Sequence, residues 1–311
     1  MNSKYTNKLV ALSLLALSAI LSGCTSEPQS PVVFESPEAA VQDLSSLIER
    51  RDVERLEQVF GPDSLDVLLS GDEDADLADY LRVQAMISEG VAFYDHDENT
   101  KTPLFGEVEW PWPIPLVRDR DGWKFSLDDG KEELLNRRVG RNELWTLTAM
   151  HEIVDAQQEY YEMALADGAM AYAAQFRSSE GNRDGLYWAT EDEEELSPLG
   201  EILAGSEEWG DDPHPFHGYF YRILTSRGAD APGGELNYVD ENGVLSRGFA
   251  VIAWPATYGN SGVMTFMTDQ RGLVYQKDLG EETETTAPAL ESFNPDPSWT
   301  PTEDSLIYVE E

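Results

Sequence analysis

The sequence predicts an α+β protein in two units: a small helix-plus-curved-sheet unit, then a long helix packed on an antiparallel sheet. Three observations carry this. Residues 34–135 open with capped amphipathic helices and close with short strands set off by turn signals. Residues 136–163 hold apolar side chains at helical spacing, entered through basic residues and left at Asp167-Gly168. Residues 164–280 then give β-rich runs separated by Gly, Pro, Asn and Asp.

In the first unit, Ser36-Pro37-Glu38 starts a helix: Ser36 suits the N-cap, Pro37 the first turn, and Glu38 the positive end of the dipole. Val41, Leu44, Leu47 and Ile48 form its apolar face. A second helix runs over 52–60 and stops at Gly61-Pro62, and a third covers 76–87. Strands are expected at 105–110, 113–118 and 122–127, the last two joined by a turn at Asp119-Arg120-Asp121-Gly122. Helices first and a curved sheet after resembles the cone of nuclear-transport-factor-2-like domains. Such cones often hold a pocket, which Trp110, Trp112 and Trp123 would line, although large aromatics also pack cores.

A helical stretch at 131–138 leads into the central helix at 136–163. There Leu144, Leu147, Met150, Val154, Gln157 and Tyr161 share a stripe, widened by Trp145, Ile153 and Tyr160. Arg137, Arg138 and Arg141 form the basic cluster at its start. In so acidic a chain they are expected to pair with carboxylates and to join the two units, with docking of an anionic group as the alternative. Beyond the helix a short helix is expected at 197–204, and strands at 218–224, 249–254, 263–268 and 273–277. Residues 281–311, rich in Glu, Thr and Pro, read as a disordered acidic tail, with Trp299 or Tyr308 as a docking peptide in the alternative.

Charge narrows the function. The 311-residue chain carries 60 acidic and 21 basic residues, a net charge of −39. That field repels phosphate backbones, so no nucleic-acid partner is expected. Its 41% hydrophobic content is enough for a core. Cys24 is the only cysteine, which excludes an internal disulfide and a thiolate metal cluster. It closes a leader: Lys4 and Lys8, an apolar run at 9–21, then Leu21-Ser22-Gly23-Cys24. The run is too short to span a bilayer. Leu-Ser-Gly-Cys resembles the lipobox of bacterial lipoproteins. That resemblance implies a signal peptide over 1–23, lipidation of Cys24, and, with Thr25 following, transfer to the periplasmic face of the outer membrane. Residues 24–33 are a polar tether.

Motifs for chemistry are weak. Asp95, Asp97 and Asn99 match the start of a calcium loop, but Thr100 and Gly106 stand where Gly and Glu are required. His151-Glu152 lacks the second histidine of a zinc helix, since Asp155 occupies that position. His214 and His217 bracket Pro-Phe without a nameable third ligand. No phosphate loop, nucleophile elbow or cofactor fingerprint is found, so no metal or cofactor is expected.

Longer stretches carry a family likeness. GRNELWTLTAMHEIVDAQQEYY, RDGLYW, HGYFYRIL, APGG and the run from Gly248 to Gly280 resemble an uncharacterised bacterial lipoprotein family, a domain of unknown function, over about 34–280. The family brings no established catalytic residues. The helix at 155–161 with the strands around 218–220, 262–266 and 272–275 also resembles the head of type IV pilin-like and pseudopilin proteins. A pilin's apolar N-terminal half-helix is here replaced by the first unit and the anchor. The expected function is a non-catalytic, lipid-anchored envelope module that binds an envelope protein, with Tyr187, Trp188, Trp254 and Tyr258 as candidate contacts. The alternative is a carboxylate-dependent hydrolase acting on an envelope or carbohydrate substrate, using Glu152, Asp155 or Asp184.

Overall fold

Local capping chemistry starts the chain. Ser36 caps α1 (Pro37–Arg50) by accepting from Ala39 N at 3.2 Å, and Asp52 caps α2 (Val53–Phe60) by accepting from Arg55 N at 3.0 Å. These elements belong to a computed structural model that describes residues 31–190, 196–206 and 214–303; the leader, Cys24 and Tyr308 lie outside the described residues. A single turn, α3 (Leu65–Leu68), follows, and then α4 (Glu73–Glu89), whose cap Asp72 accepts from Ala75 N at 3.0 Å.

Five short antiparallel strands come next: β1 (Val91–Asp95), β2 (Thr100–Phe105), β3 (Trp110–Pro111), β4 (Leu116–Arg118) and β5 (Trp123–Phe125). Their order is β1-β2-β4-β5, with β3 also on β2. The strand expected at 105–110 is mostly a turn, with Gly106 at φ +77° and Glu109 at φ +52°. The Asp95–Asn99 stretch is the β1–β2 hairpin loop, in which Asp97 accepts from Asn99 N at 2.7 Å. Its polar side chains therefore serve turn geometry, and they hid the two strands on either side.

The long helix is longer than expected: α5 (Leu127–Ala166) runs 40 residues without interruption. A boundary at 135/136 falls inside it. Its first turns lie close on the first unit: a Cβ on Gly130 would stand 2.6 Å from Ile114 Cα and from Pro113 O, so only glycine permits this approach.

After α5 come α6 (Glu201–Ala204), β6 (Tyr219–Leu224), β7 (Ser226–Arg227), β8 (Leu236–Asn237), β9 (Ala250–Pro255), β10 (Met264–Asp269), β11 (Tyr275–Asp278), a 3-10 turn at Gly280–Glu282, α7 (Thr283–Thr286) and β12 (Thr300–Pro301). The second sheet is antiparallel in the order β12-β11-β10-β9-β6, and β7-β8 form a separate ribbon. The fold is thus mixed α+β, one long helix with antiparallel sheets.

Each sheet has its own core. Leu44, Val59, Phe105, Ile114, Leu116 and Phe125 fill the first. Ala149, Met150, Ile153 and Ala156 of α5 pack into the second, with Tyr219, Tyr221, Ile252 and Phe266. Every residue of β9 is buried, because the sheet is covered on both faces. Tyr221, on one face, reaches α5 through its hydroxyl and Thr146 Oγ1 at 3.3 Å. Over the other face Arg222 donates to Pro288 O at 2.7 Å and Leu290 O at 2.6 Å.

That cover corrects two expectations. Residues 281–303 do not form a disordered tail: Ala287, Phe293 and Trp299 are buried, and β12 pairs with β11. Three apolar anchors outweigh the acidic composition. Trp254, expected as a contact surface, is only 2% exposed and lies beneath Arg222 on the covered face.

Candidate ligand cavity

The three arginines of α5 diverge in role because successive helical residues face different ways. Arg138 points inward and is 6% exposed. It donates to Leu68 O at 2.7 Å and Leu69 O at 3.2 Å, and also to Asn260 Oδ1. The two carbonyls lie at the end of α3, where helix carbonyls lack intrahelical donors. No carboxylate lies within ion-pair distance of Arg138 among the described residues. Burial pulls its pKa below the ordinary value of 12.5, opposed by the charges of Asp76 and Asp79. Arg141 forms a fork with Asp79 of α4 at 2.9 and 2.7 Å, and Arg82 meets the same carboxylate at 2.9 Å. Arg137 donates to Glu133 at 2.6 Å and to Pro111 O at 2.7 Å, with its guanidinium 5.2 Å from the Trp110 ring centre.

The seam between the units continues through polar side chains. Asn142 Nδ2 donates to Ser261 O at 2.9 Å, and Gly218 N donates to the buried Asp72 carboxylate at 3.1 Å. Asn260 Nδ2 donates to Asp66 O at 3.1 Å. Next to the seam, Asp76 accepts from Ser70 N at 2.9 Å and Ser70 Oγ at 2.8 Å, while burial raises its pKa above 3.8. His217, held at φ +51°, stacks on Trp145 with ring centres 4.8 Å apart, and burial lowers its pKa below 6.5.

Inside the first unit these arginines border a cavity of about 110 Å³. Leu44 and Ile48 of α1, Leu56 and Phe60 of α2 and Val83 of α4 make a buried apolar floor. Trp110, Trp112 and Leu134 form the side walls, and the half-exposed Arg82, Arg137, Arg141 and Asp79 stand at the mouth. Two polar atoms of the lining residues, Trp112 Nε1 and Tyr80 Oη, are shut off from solvent without a hydrogen-bond partner. Burial, and the nearby charge of Asp76, raise the Tyr80 pKa above 10.0.

The cavity thus joins two sets of residues read separately from sequence, the arginine cluster and two of the three tryptophans. Trp123 stands apart, buried on β5 with Lys101 and Arg118 over its ring. Tyr80 and Arg82 carried no motif, and nothing local in the sequence marks them.

The other candidates lie elsewhere. Tyr187 and Trp188 border a groove of about 490 Å³ among the described residues, beneath Arg177 at 4.8 Å and Arg183 at 5.2 Å. Tyr258 is half-buried between β9 and β10, and its hydroxyl donates to Asp278 at 3.0 Å. Glu152 and Asp155 are exposed on α5, and Asp184 accepts from Ser179 N and Oγ, each at 2.8 Å. None of these carboxylates lines the cavity. Among the described residues no group of three His, Cys, Asp or Glu is placed to hold a metal ion, and no helix is long and apolar enough to cross a membrane.

The family described as "Protein of unknown function (DUF2950)" matches residues 32–302, and the chain belongs to it. No curated protein and no solved structure matches the chain.

Proposed function

We propose that this member of the DUF2950 family is a non-catalytic binding module of the cell envelope, tethered through a lipidated Cys24 to the periplasmic face of the outer membrane, with the cavity of its first unit as the binding site. The observation that carries this is the cavity itself: an apolar floor and a cationic mouth. The leader ending in Leu21-Ser22-Gly23-Cys24 supports the anchor. Several acyl chains would make that anchor stable where one chain is marginal. Likeness to pilin-like heads stands on the same footing, supported by α5 lying against β9 and β10. An envelope protein partner would meet Tyr187 or Tyr258, which keep part of their surface in solvent.

The test has two arms. Metabolic labelling with a fatty acid should tag the wild type and not Cys24→Ala, which should leave the membrane fraction. Solvent extraction of natively purified protein, followed by mass spectrometry, should release a small molecule that is absent from a cavity-filled Val83→Trp form. Unlabelled wild type would remove the anchor. Identical empty extracts from both forms would remove the binding site.

A further inference from the structure

We propose that the cavity takes a small monocarboxylate, with the carboxylate at the mouth against Arg82 and Arg137 and a short branched or single-ring body on the apolar floor. This rests on the binding-site reading above and names the ligand class for it.

Size sets the first bound. A dry apolar cavity of about 150 Å³ admits benzene, so the 110 Å³ here takes a body no bulkier than one ring. Floor chemistry sets the second. Leu44, Ile48, Phe60 and Val83 offer no polar group, so the buried part of the ligand is hydrocarbon.

Charge sets the third. Four arginines line the cavity against the single carboxylate of Asp79, in a chain whose net charge is −39. Glu133 offsets one more of them through Arg137 and Asp76 another beside Arg138, which leaves one positive charge in excess. A local surplus of cation in so acidic a protein concentrates field at this one mouth. The donors at the mouth are only partly used. Arg82 donates through Nη2 alone, and Arg137 through Nε and Nη1, among the described residues. A planar carboxylate matches the remaining guanidinium edges. The Trp110 ring under Arg137 holds that guanidinium in place before a ligand arrives, which lowers the entropic cost of binding.

Calorimetry at low salt on the full mature chain tests this with benzoate and isovalerate, their neutral amides, and inorganic sulfate. An acid should bind at least roughly tenfold more tightly than its amide, the effect of one charge-assisted hydrogen bond. Arg82→Gln/Arg137→Gln should bring the acid down to the level of the amide. Both positions are half-exposed, so the variant should fold, which a thermal melt checks. Val83→Trp should abolish acid and amide binding alike. Amide binding equal to the acid, or sulfate binding as tightly as benzoate, would overturn the carboxylate assignment while leaving a binding cavity. If no acid or amide binds wild type any better than Val83→Trp, the binding-site reading itself falls.

Discussion

Replacing Gln157 with leucine should destabilise the protein by about 3 kcal/mol. Gln157 is 0% exposed on α5, and its amide clasps one residue of the following loop at both ends: Nε2 donates to Ala173 O at 2.8 Å, and Oε1 accepts from Ala173 N at 2.9 Å. Leucine removes both bonds and leaves a buried N–H and a buried C=O without partners, each worth about 1–3 kcal/mol. Added hydrocarbon contact returns about 1–2 kcal/mol. At about 2–4 °C per kcal/mol, the melting temperature should fall by roughly 6–12 °C. Guanidinium titration measures the loss directly, and the Ala173 amide should exchange with solvent faster. Gln158→Leu is the control, since Gln158 is exposed and should stay within about 0.5 kcal/mol of wild type. Gln157→Glu adds a pH signature: protonated, the side chain can still donate to Ala173 O. That stability is present at low pH and lost as pH rises through the carboxyl pKa. A loss below about 1 kcal/mol in Gln157→Leu would refute the claim that burial without partners sets the cost.

Three other outcomes follow from packing and charge. Gly262→Ala would drive a Cβ onto the Tyr219 phenol, within 2.5 Å of Cε2 and Cζ, and should cost about 1–3 kcal/mol in a denaturant melt, whereas Gly200→Ala, with open space around it, should cost little. Phe293→Ala should lose about 3–5 kcal/mol because the ring is fully buried against Tyr275, and a chain ending at 280 should fail to reach native stability. His217 has a folded pKa below 6.5, so its contribution is present above that pH and is lost as pH falls through the lower folded value. Asp72 opposes that shift and Arg141 reinforces it. His217→Asn, which keeps a residue tolerant of positive φ, should flatten the decline in denaturation midpoint below about pH 6.5.

What was legible in the sequence was local. Ser36-Pro37 announced a helix start because a cap is satisfied within three residues. The central helix was visible, and Met150, Ile153 and Gln157 are buried as its stripe implied. The stripe misled at its start, where Leu144 is 63% and Trp145 48% exposed. There the inward face runs through Arg138, Asn142 and Thr146, polar residues that hydrophobic periodicity does not register. The same holds for the C-terminal segment, where composition outvoted the anchors Phe293 and Trp299. The ingredients of the cavity were visible too, as arginines on a helix and tryptophans near strands. Their meeting depends on how α1, α2 and α4 close over them, which is a long-range property.

The shared helix also sets a timetable for biosynthesis. Arg138 reaches Leu68 and Leu69, already made, but its third acceptor, Asn260, lies 122 residues further along the chain. At about 5–20 residues per second, that acceptor arrives roughly 6–25 s after the guanidinium does. The partners of Asp72 and Asn142, at Gly218 and Ser261, are late in the same way. A nascent chain therefore carries a first unit with its joint unlatched, and the latch closes only when β9 and the loop after it have been made. Premature termination anywhere before residue 260 would leave that joint open to proteases.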